Sequence, residues 1–565
     1  MEQCKSICGS FCDSELNIKE ISSSSSKFKN DNVYIESADF SIRIWGYILN
    51  KSELLEKYSC DNIESIFSIE REFHPLCKVL NGAYVAIVFD KKNKKLQIYN
   101  DLLSKHSLFY YYNKSSGQFV FSDSFFNVLK MVKEKELPYT IDALGVKMMV
   151  WQRMFYDDVT YIREIKFLRP FDYIVIENGE ILIKRVPREN MLNNVTMEEA
   201  AGEIHKLFSK AVQLQYVKNQ ENGYPQITTM SGGMDSRSTF LYGLANGYTD
   251  QVGFCYGESS SKDFDYALQL AKKNDCQFFF HPIDHGYHLL ERDEMCNANE
   301  AQAVYSGPSG AYDSLKFYDT DSWGIVHTGL GGGEIMGDMR VGDTLKGWEG
   351  FVESLKYKLG KGKKDRIWKS FVSSLRCTDG EVKRLETFFK DYENFNEFQS
   401  LCDMRRCLNS QKMGKYFAVE YVSPFLYEDF FCYMLRIPYK LTKGRQLYLY
   451  WQKKYNPKQF ETPSTFQMGC RPGNKVGYYA KRFCKYTVNR MGYKTKYDMV
   501  PIEQWRAVNP KITEVEQQWF EEDMKTIQSE ISLHQLLADV WQKKTVSRQN
   551  ILTATWALNR ILLKA

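Results

Sequence analysis

The chain has 565 residues, with 75 Lys and Arg against 70 Asp and Glu, for a net charge of +5. That length excludes a peptide or a tail and allows two to four domains at roughly 100–200 residues each. A composition of 43% hydrophobic, 26% charged and 15% aromatic residues excludes large-scale disorder. No run approaches the roughly 18 consecutive apolar residues of a membrane helix, and the opening MEQCKSICGS lacks the basic-then-apolar pattern of a secretory signal. The expectation is a cytoplasmic protein with no membrane partner, whose 14 scattered Cys are reduced thiols. A pI near 8.3 gives no reason to expect nucleic acid. The locally basic segment Arg471–Lys496 reads as solvated surface or as the rim of an anionic ligand site.

Along the chain, the first part reads mainly as strands. Short apolar runs at Ser41–Ile48, Ala83–Phe89, Leu96–Tyr99, Leu108–Tyr112 and Gln118–Phe121 are separated by turn clusters at Asp90–Lys95 and Asn113–Gly117. The serine run Ser22–Ser26 predicts an exposed loop. From about Thr196 the texture changes: Met197–Val217 has helical apolar spacing, and strands at Gln226–Met230 and Gln251–Tyr256 alternate with helical segments such as Asp263–Lys273. This alternation predicts a parallel sheet with crossover helices. After Gly350 the pattern is mostly helical, punctuated by prolines such as Pro424 and Pro457, and a domain boundary is expected near Asn190–Thr196.

The chemistry concentrates in Ser231-Gly232-Gly233-Met234-Asp235-Ser236, where a β-rich run ends in two glycines and a helix follows. Such a strand-to-helix turn presents free helix amides to an anion, with glycines allowing close backbone approach. It is not a Walker loop, because no lysine follows the glycines. A second Gly-rich segment, Ile325 through Asp338 (IVHTGLGGGEIMGD), also follows an apolar run, and a third segment is Glu420-Tyr421-Val422-Ser423-Pro424-Phe425-Leu426.

SGGMDS resembles the pyrophosphate loop of the ATP pyrophosphatases. The second segment resembles the SGxGxDExFGG loop, and the third the ExRxPFLD segment, of the asparagine synthetase family. At the front, Ile7–Phe11, Trp45–Asn50, Leu80–Tyr84 and Asn100–Tyr110 resemble the glutaminase motifs of that family. The resemblance implies an α+β N-terminal nucleophile hydrolase-like sandwich over residues 1–192. An α/β parallel-sheet synthetase domain, adenine nucleotide α-hydrolase-like with a helical C-terminal part, would span 193–565. It further implies ATP and Mg²⁺. Ser231, Gly232, Gly233, Asp235, Ser236, Thr328 and Gly329 would hold the nucleotide and its pyrophosphate, and Asp235, Glu334 and Asp338 the metal. The lysine that stabilises the transition state maps onto Arg445, with Lys443 beside it, and Glu334 joins them as a catalytic candidate.

The sequence departs from the family at informative places. A glutaminase of this type uses an N-terminal cysteine whose own amine activates the thiol, whereas Cys8 lies inside the chain. Trp45 and Tyr47 flank Gly46 where the family has Asn and Glu, and Asn100 precedes Asp101 where it has Arg. These changes predict a glutaminase-like domain that no longer releases ammonia. Leu330 and Gly333 stand where acidic residues are usual, and Val422 and Tyr427 replace Arg and Asp.

The reading is therefore an ATP-dependent, AMP- and pyrophosphate-forming amide-bond ligase, resembling β-lactam synthetases and lasso-peptide cyclases. Its partners would be small-molecule or peptide carboxylates and amines, and association as a homodimer is left open. The alternatives are a glutamine-hydrolysing asparagine synthetase and a degenerate, non-catalytic binding protein of the same fold. His281, His285 and His288 have a spacing that could ligate a metal, but they lack Cys or acidic partners at helical spacing and read as a loop beside the nucleotide.

Overall fold

A computed structural model describes residues 6–12, 15–21, 27–69, 77–187, 192, 194–306, 309–337, 340–343, 349–353, 364–388, 392, 395–465, 469–472, 474–490 and 499–563. The serine run Ser22–Ser26 and, of the expected boundary at Asn190–Thr196, residues 190, 191 and 193 lie outside these residues.

The front of the chain supplies eleven strands among the described residues: β1 (Ser6–Cys12), β2 (Glu15–Ile21), β3 (Val33–Glu36), β4 (Phe40–Ile48), β5 (Gly82–Asp90), β6 (Lys95–Asn100), β7 (Phe109–Asn113), β8 (Gln118–Ser122), β9 (Ile165–Phe167), β10 (Asp172–Glu177) and β11 (Glu180–Arg185). They form two antiparallel sheets, ordered β2-β1-β8-β7-β9 and β11-β10-β6-β5-β4-β3. Ile7, Phe11, Phe119 and Phe121 from the first sheet meet Val85, Ile87, Ile98 and Ile174 from the second in one buried layer. On the outer face of the second sheet, Leu54, Ile63, Ile66 and Phe67 of helices Lys51–Tyr58 and Ile63–Ile69 cover Ile42, Ile44 and Tyr84. On the outer face of the first, helices Phe125–Glu134 and Ala143–Gln152 cover Phe109, Tyr111 and Val120. The order of layers is thus helix, sheet, sheet, helix, because each sheet alternates apolar residues on both faces.

Helix Met197–Glu221 opens with a capping box between Thr196 and Glu199. It leads into a five-stranded parallel sheet made of β12 (Ile227–Thr229), β13 (Val252–Gly257), β14 (Phe278–Pro282), β15 (Ile325–His327) and β16 (Glu420–Val422), in the order β14-β13-β12-β15-β16. The predicted parallel sheet is present. The chain runs outward from β12 to β14 on one side, then returns to β15 and β16 on the other. The sheet therefore has a topological switch point between β12 and β15, the place where open parallel sheets bind ligands. Among the described residues the remaining elements are helices, and the last, Arg548–Leu562, packs back on Ala143–Gln152, with Asn550 Nδ2 donating to the Val150 carbonyl at 2.9 Å. Helix Lys475–Arg490 lies within the basic segment and leaves Val476 83% and Tyr479 63% exposed, as a surface element does.

One buried ion pair ties the front to the back. Asp31, 2% exposed, pairs with the equally buried Lys218 of helix Met197–Glu221 and with Lys51 at 3.3 Å, and accepts from the Ile48 amide at 2.9 Å. Burial lowers the Lys218 pKa while Asp31 pulls it back up. Removing one partner strands a buried charge, so Lys218→Ala is expected to cost about 3–5 kcal/mol. The paired replacement Asp31→Asn/Lys218→Met should cost less than either single truncation, as chemical denaturation in a double-mutant cycle will measure.

Candidate active site

The three sequence motifs meet at the C-terminal ends of β12, β15 and β16. After β12, the chain turns through Ser231–Met234 into helix Asp235–Ala245, whose start carries no side-chain cap. Uncapped, its first amides are open to an anion. Ser231 Oγ lies 3.0 Å from Ser236 Oγ and accepts from the Gly233 amide at 3.1 Å, which sets the loop's curl.

The second loop lies directly on the first. A Cβ at Gly329 would fall 2.1 Å from the Ser236 nitrogen and 2.3 Å from the Asp235 carbonyl carbon, and one at Gly332 would fall 2.5 Å from Asp235 Cγ. These glycines are required by close approach. Thr328 is the knot between strands. Its amide donates to the Val422 carbonyl at 2.8 Å and its own carbonyl accepts from Thr239 Oγ1 at 2.9 Å. In the third motif, Ser423 Oγ donates to the Leu330 carbonyl at 2.6 Å, and Leu426 packs under Gly331, where φ is +80°. Val422 is buried there, and the Tyr427 hydroxyl donates to Asp429 at 2.8 Å.

Arg445 and Lys443, separated only by Gly444, have different surroundings. Lys443 is exposed, whereas Arg445 is buried, with Nη2 3.9 Å from Asp235 Oδ2 and its guanidinium 5.4 Å from the Tyr448 ring. Arg445 takes a left-handed φ of +61°, uncommon for a non-glycine residue. Of the two cations, Arg445 is the one that faces the loops. Glu334 points elsewhere: its carboxylate pairs with Arg406 Nη2 at 3.2 Å and accepts from the Cys407 thiol at 3.4 Å. A metal role for Glu334 would require that pair to open. Asp338 lies outside the described residues. Among the described residues, no three His, Cys, Asp or Glu side chains gather as a metal site.

Four further residues shape the site. Arg237, fully buried, donates to the carbonyls of Gln459 at 3.1 Å, Thr462 at 2.9 Å and Pro463 at 2.8 Å, and desolvation lowers its pKa to about 10. It pins segment 459–465 beside the first loop, where the Thr465 amide donates to the Gly232 carbonyl at 3.0 Å. Asp263 Oδ1 accepts from the Gly232 amide at 2.9 Å, an anion already seated on one loop amide. Tyr448 bonds Ser238 Oγ at 3.0 Å and also reaches Asp235. Of these, only Arg237 had a sequence signal, its place next to SGGMDS.

The front-domain candidates are structural in their surroundings. Cys8 sits inside β1, paired with Lys19 and Ser122. Its thiol donates to the Lys19 carbonyl at 3.5 Å, and burial raises its pKa, which disfavours the nucleophilic thiolate. A Cβ at Gly46 would fall 2.1 Å from the Ala83 carbonyl oxygen, so this glycine serves the close pairing of β4 with β5. Trp45 is part of that same pairing, opposite Val85. Asp101 is fully buried and accepts from the amides of Leu103, Lys105 and His106, which fixes the turn after β6. Tyr47 is buried, with its ring 5.5 Å from that of Phe28.

His281 pairs with Asp313 at 3.3 Å, while both ring nitrogens of His288 are buried without partners among the described residues. Burial lowers the His288 pKa to about 4. The unfolded chain then binds a proton that the native one refuses between about pH 6.5 and 4. Stability should therefore be full above pH 6.5 and fall as the pH drops toward 4. His288→Leu is expected to flatten that part of the urea-denaturation profile.

No protein-family model and no curated protein sequence matches the chain. Among solved structures, it is similar to an NH3-dependent NAD synthetase from Campylobacter jejuni subsp. jejuni at a TM-score of 0.19 and 14% identity. It is also similar to an NMN synthetase from Francisella tularensis at 0.18 and 15%. Each alignment covers 35% of this chain and 94% of the other.

Gly329→Ala sets a methyl against rigid backbone and is expected to cost about 1–3 kcal/mol. Gly380→Ala, with open space around it, should stay within about 0.5 kcal/mol. Thermal melting of both variants tests whether the loop contact is as tight as its geometry.

Proposed function

We propose that the protein is an ATP-dependent ligase of the asparagine synthetase type, which adenylates a carboxylate and passes the acyl group to an amine. The observation that carries this reading is the meeting of SGGMDS, the TGLGGGE loop and Arg445 around Asp235, at the switch point of a parallel sheet. In the first step, a carboxylate oxygen of the acid bonds to the α-phosphorus. The bond to pyrophosphate breaks, and pyrophosphate takes the electron pair. In the second step, the amine nitrogen bonds to the acyl carbon, AMP leaves with the carbon–oxygen pair, and the surplus proton passes to solvent.

The chain's contribution is positioning and charge neutralisation. The open amides at the start of helix Asp235–Ala245 and the hydroxyls of Ser231 and Ser236 would hold the pyrophosphate. Arg445 supplies a buried cation beside Asp235. Asp235 would hold Mg²⁺ together with phosphate oxygens, an arrangement that needs only one or two carboxylates; the ion would neutralise charge on the departing pyrophosphate. Cys8, with its disfavoured thiolate, supports a reaction that does not draw ammonia from glutamine. The Glu334–Arg406 pair favours one other reading, a binding protein of this fold without turnover.

The test is pyrophosphate exchange into ATP with Mg²⁺ across a panel of amino acids, peptides and small carboxylates. Exchange should depend on one carboxylate, vanish in Asp235→Ala, fall about 10²–10³-fold in Arg445→Ala and be unchanged in Cys8→Ala. Absence of exchange with every acid, together with absence of ATP binding, would favour the non-catalytic reading.

A further inference from the structure

A cavity of about 710 Å³ lies between the front sandwich and the edge of the parallel sheet. Tyr47 and Ser107 line it from the front, Gln215 from helix Met197–Glu221, and Glu420, Val422 and Ser423 from β16 and the residue after it. It shares a wall with the nucleotide loops, because Ser423 also holds the Leu330 carbonyl. Ammonia occupies no more than about the 30 Å³ of one water. A chamber of this size instead falls within the ≈300–1,000 Å³ that encloses an organic ligand.

The lining determines the charge of that ligand. Five Lys and Arg line it, each with an acceptor: Lys105 pairs with Glu428 at 2.5 Å, Lys412 with Glu300 at 3.1 Å and Lys130 with Glu134 at 3.8 Å, while Lys133 donates to the Leu563 carbonyl at 2.7 Å and Arg560 to Asn297 Oδ1 at 3.5 Å. Two acceptors of the lining stand apart from these pairs. Gln215 is 1% exposed, and its Oε1 has no hydrogen-bond partner among the described residues. Glu420 makes no ion pair among the described side chains. Its field reaches Lys27, whose ammonium is spent on the carbonyls of Thr320 and Trp323, both at 2.5 Å, and the hydroxyl of Tyr47. A buried acceptor without a donor costs free energy that a ligand's N–H groups would recover.

We propose that this chamber binds the acyl acceptor, an organic molecule bearing an ammonium group, with Glu420 and Gln215 as its recognition groups. The proposal rests on the adenylating reading for the word acceptor, while the binding itself does not. Calorimetric titration of the full-length protein, without ATP, with 1,5-diaminopentane, phenethylamine and lysinamide, each beside its alcohol or hydrocarbon isostere, tests it. At least one ammonium compound should bind while its neutral isostere does not. Glu420→Gln and Gln215→Leu should each weaken that binding by about tenfold or more, and Arg445→Ala should leave it unchanged. Binding by no ammonium compound, equal binding of the isosteres, or binding indifferent to both chamber variants would overturn the assignment. Ammonium binding in a protein that shows no pyrophosphate exchange would leave the chamber standing and overturn adenylation instead.

Discussion

The back half of the molecule depends on one contact, the approach of the Gly329 backbone onto Asp235 and Ser236. No side chain fits there: a Cβ would sit 2.1 Å from a backbone nitrogen. The approach follows from topology. β12 and β15 are neighbours in the sheet although about a hundred residues separate them in the chain, and parallel pairing brings their C-terminal ends side by side. Two loops leaving adjacent parallel strands must then share one small volume. Glycine lets them do so, because a side chain at Gly329 or Gly332 would collide with the facing loop.

Around that contact, charge is arranged by burial. Arg237 is enclosed, with both terminal nitrogens held by carbonyl oxygens, which makes it an anchor for segment 459–465. Arg445 is the opposite case: a nearby carboxylate, an aromatic face and a strained backbone aim its guanidinium at the loops. Asp263, seated on the Gly232 amide, occupies a position that an incoming anion would contest. The loop is thus held in its curled form by groups of its own chain.

Local signals made much of this legible in the sequence. Glycines before a helix, alternation of strand and helix, and apolar runs between turn clusters report local backbone demands, so the parallel sheet and both loops were readable. The choice between Lys443 and Arg445 was not, because burial is decided by the turn at Gly444, a tertiary matter. Glu334 matched a motif by position, yet its partner, Arg406, comes from a distant helix that no spacing rule connects to it. Asp263 and Thr465 were invisible for the same reason: each reaches Gly232 from another element. At the front, Gly46 and Asp101 matched motif positions, but close strand pairing and a buried turn cap are sufficient physical reasons for both.

The front sandwich then has a role that needs no chemistry of its own. Tyr47 replaces a smaller polar group of the motif it resembles and puts a ring on Phe28 and a hydroxyl at the chamber wall. The Asp31–Lys218 pair fixes the front unit to helix Met197–Glu221, the same helix that carries Gln215 into the chamber. Rigid attachment of one wall and recognition by the other therefore lie within one turn of a single helix. A chamber shaped this way stays complementary to one ligand only while both halves keep their registry. The buried ion pair, weak as a source of net stability, is well suited to hold that registry.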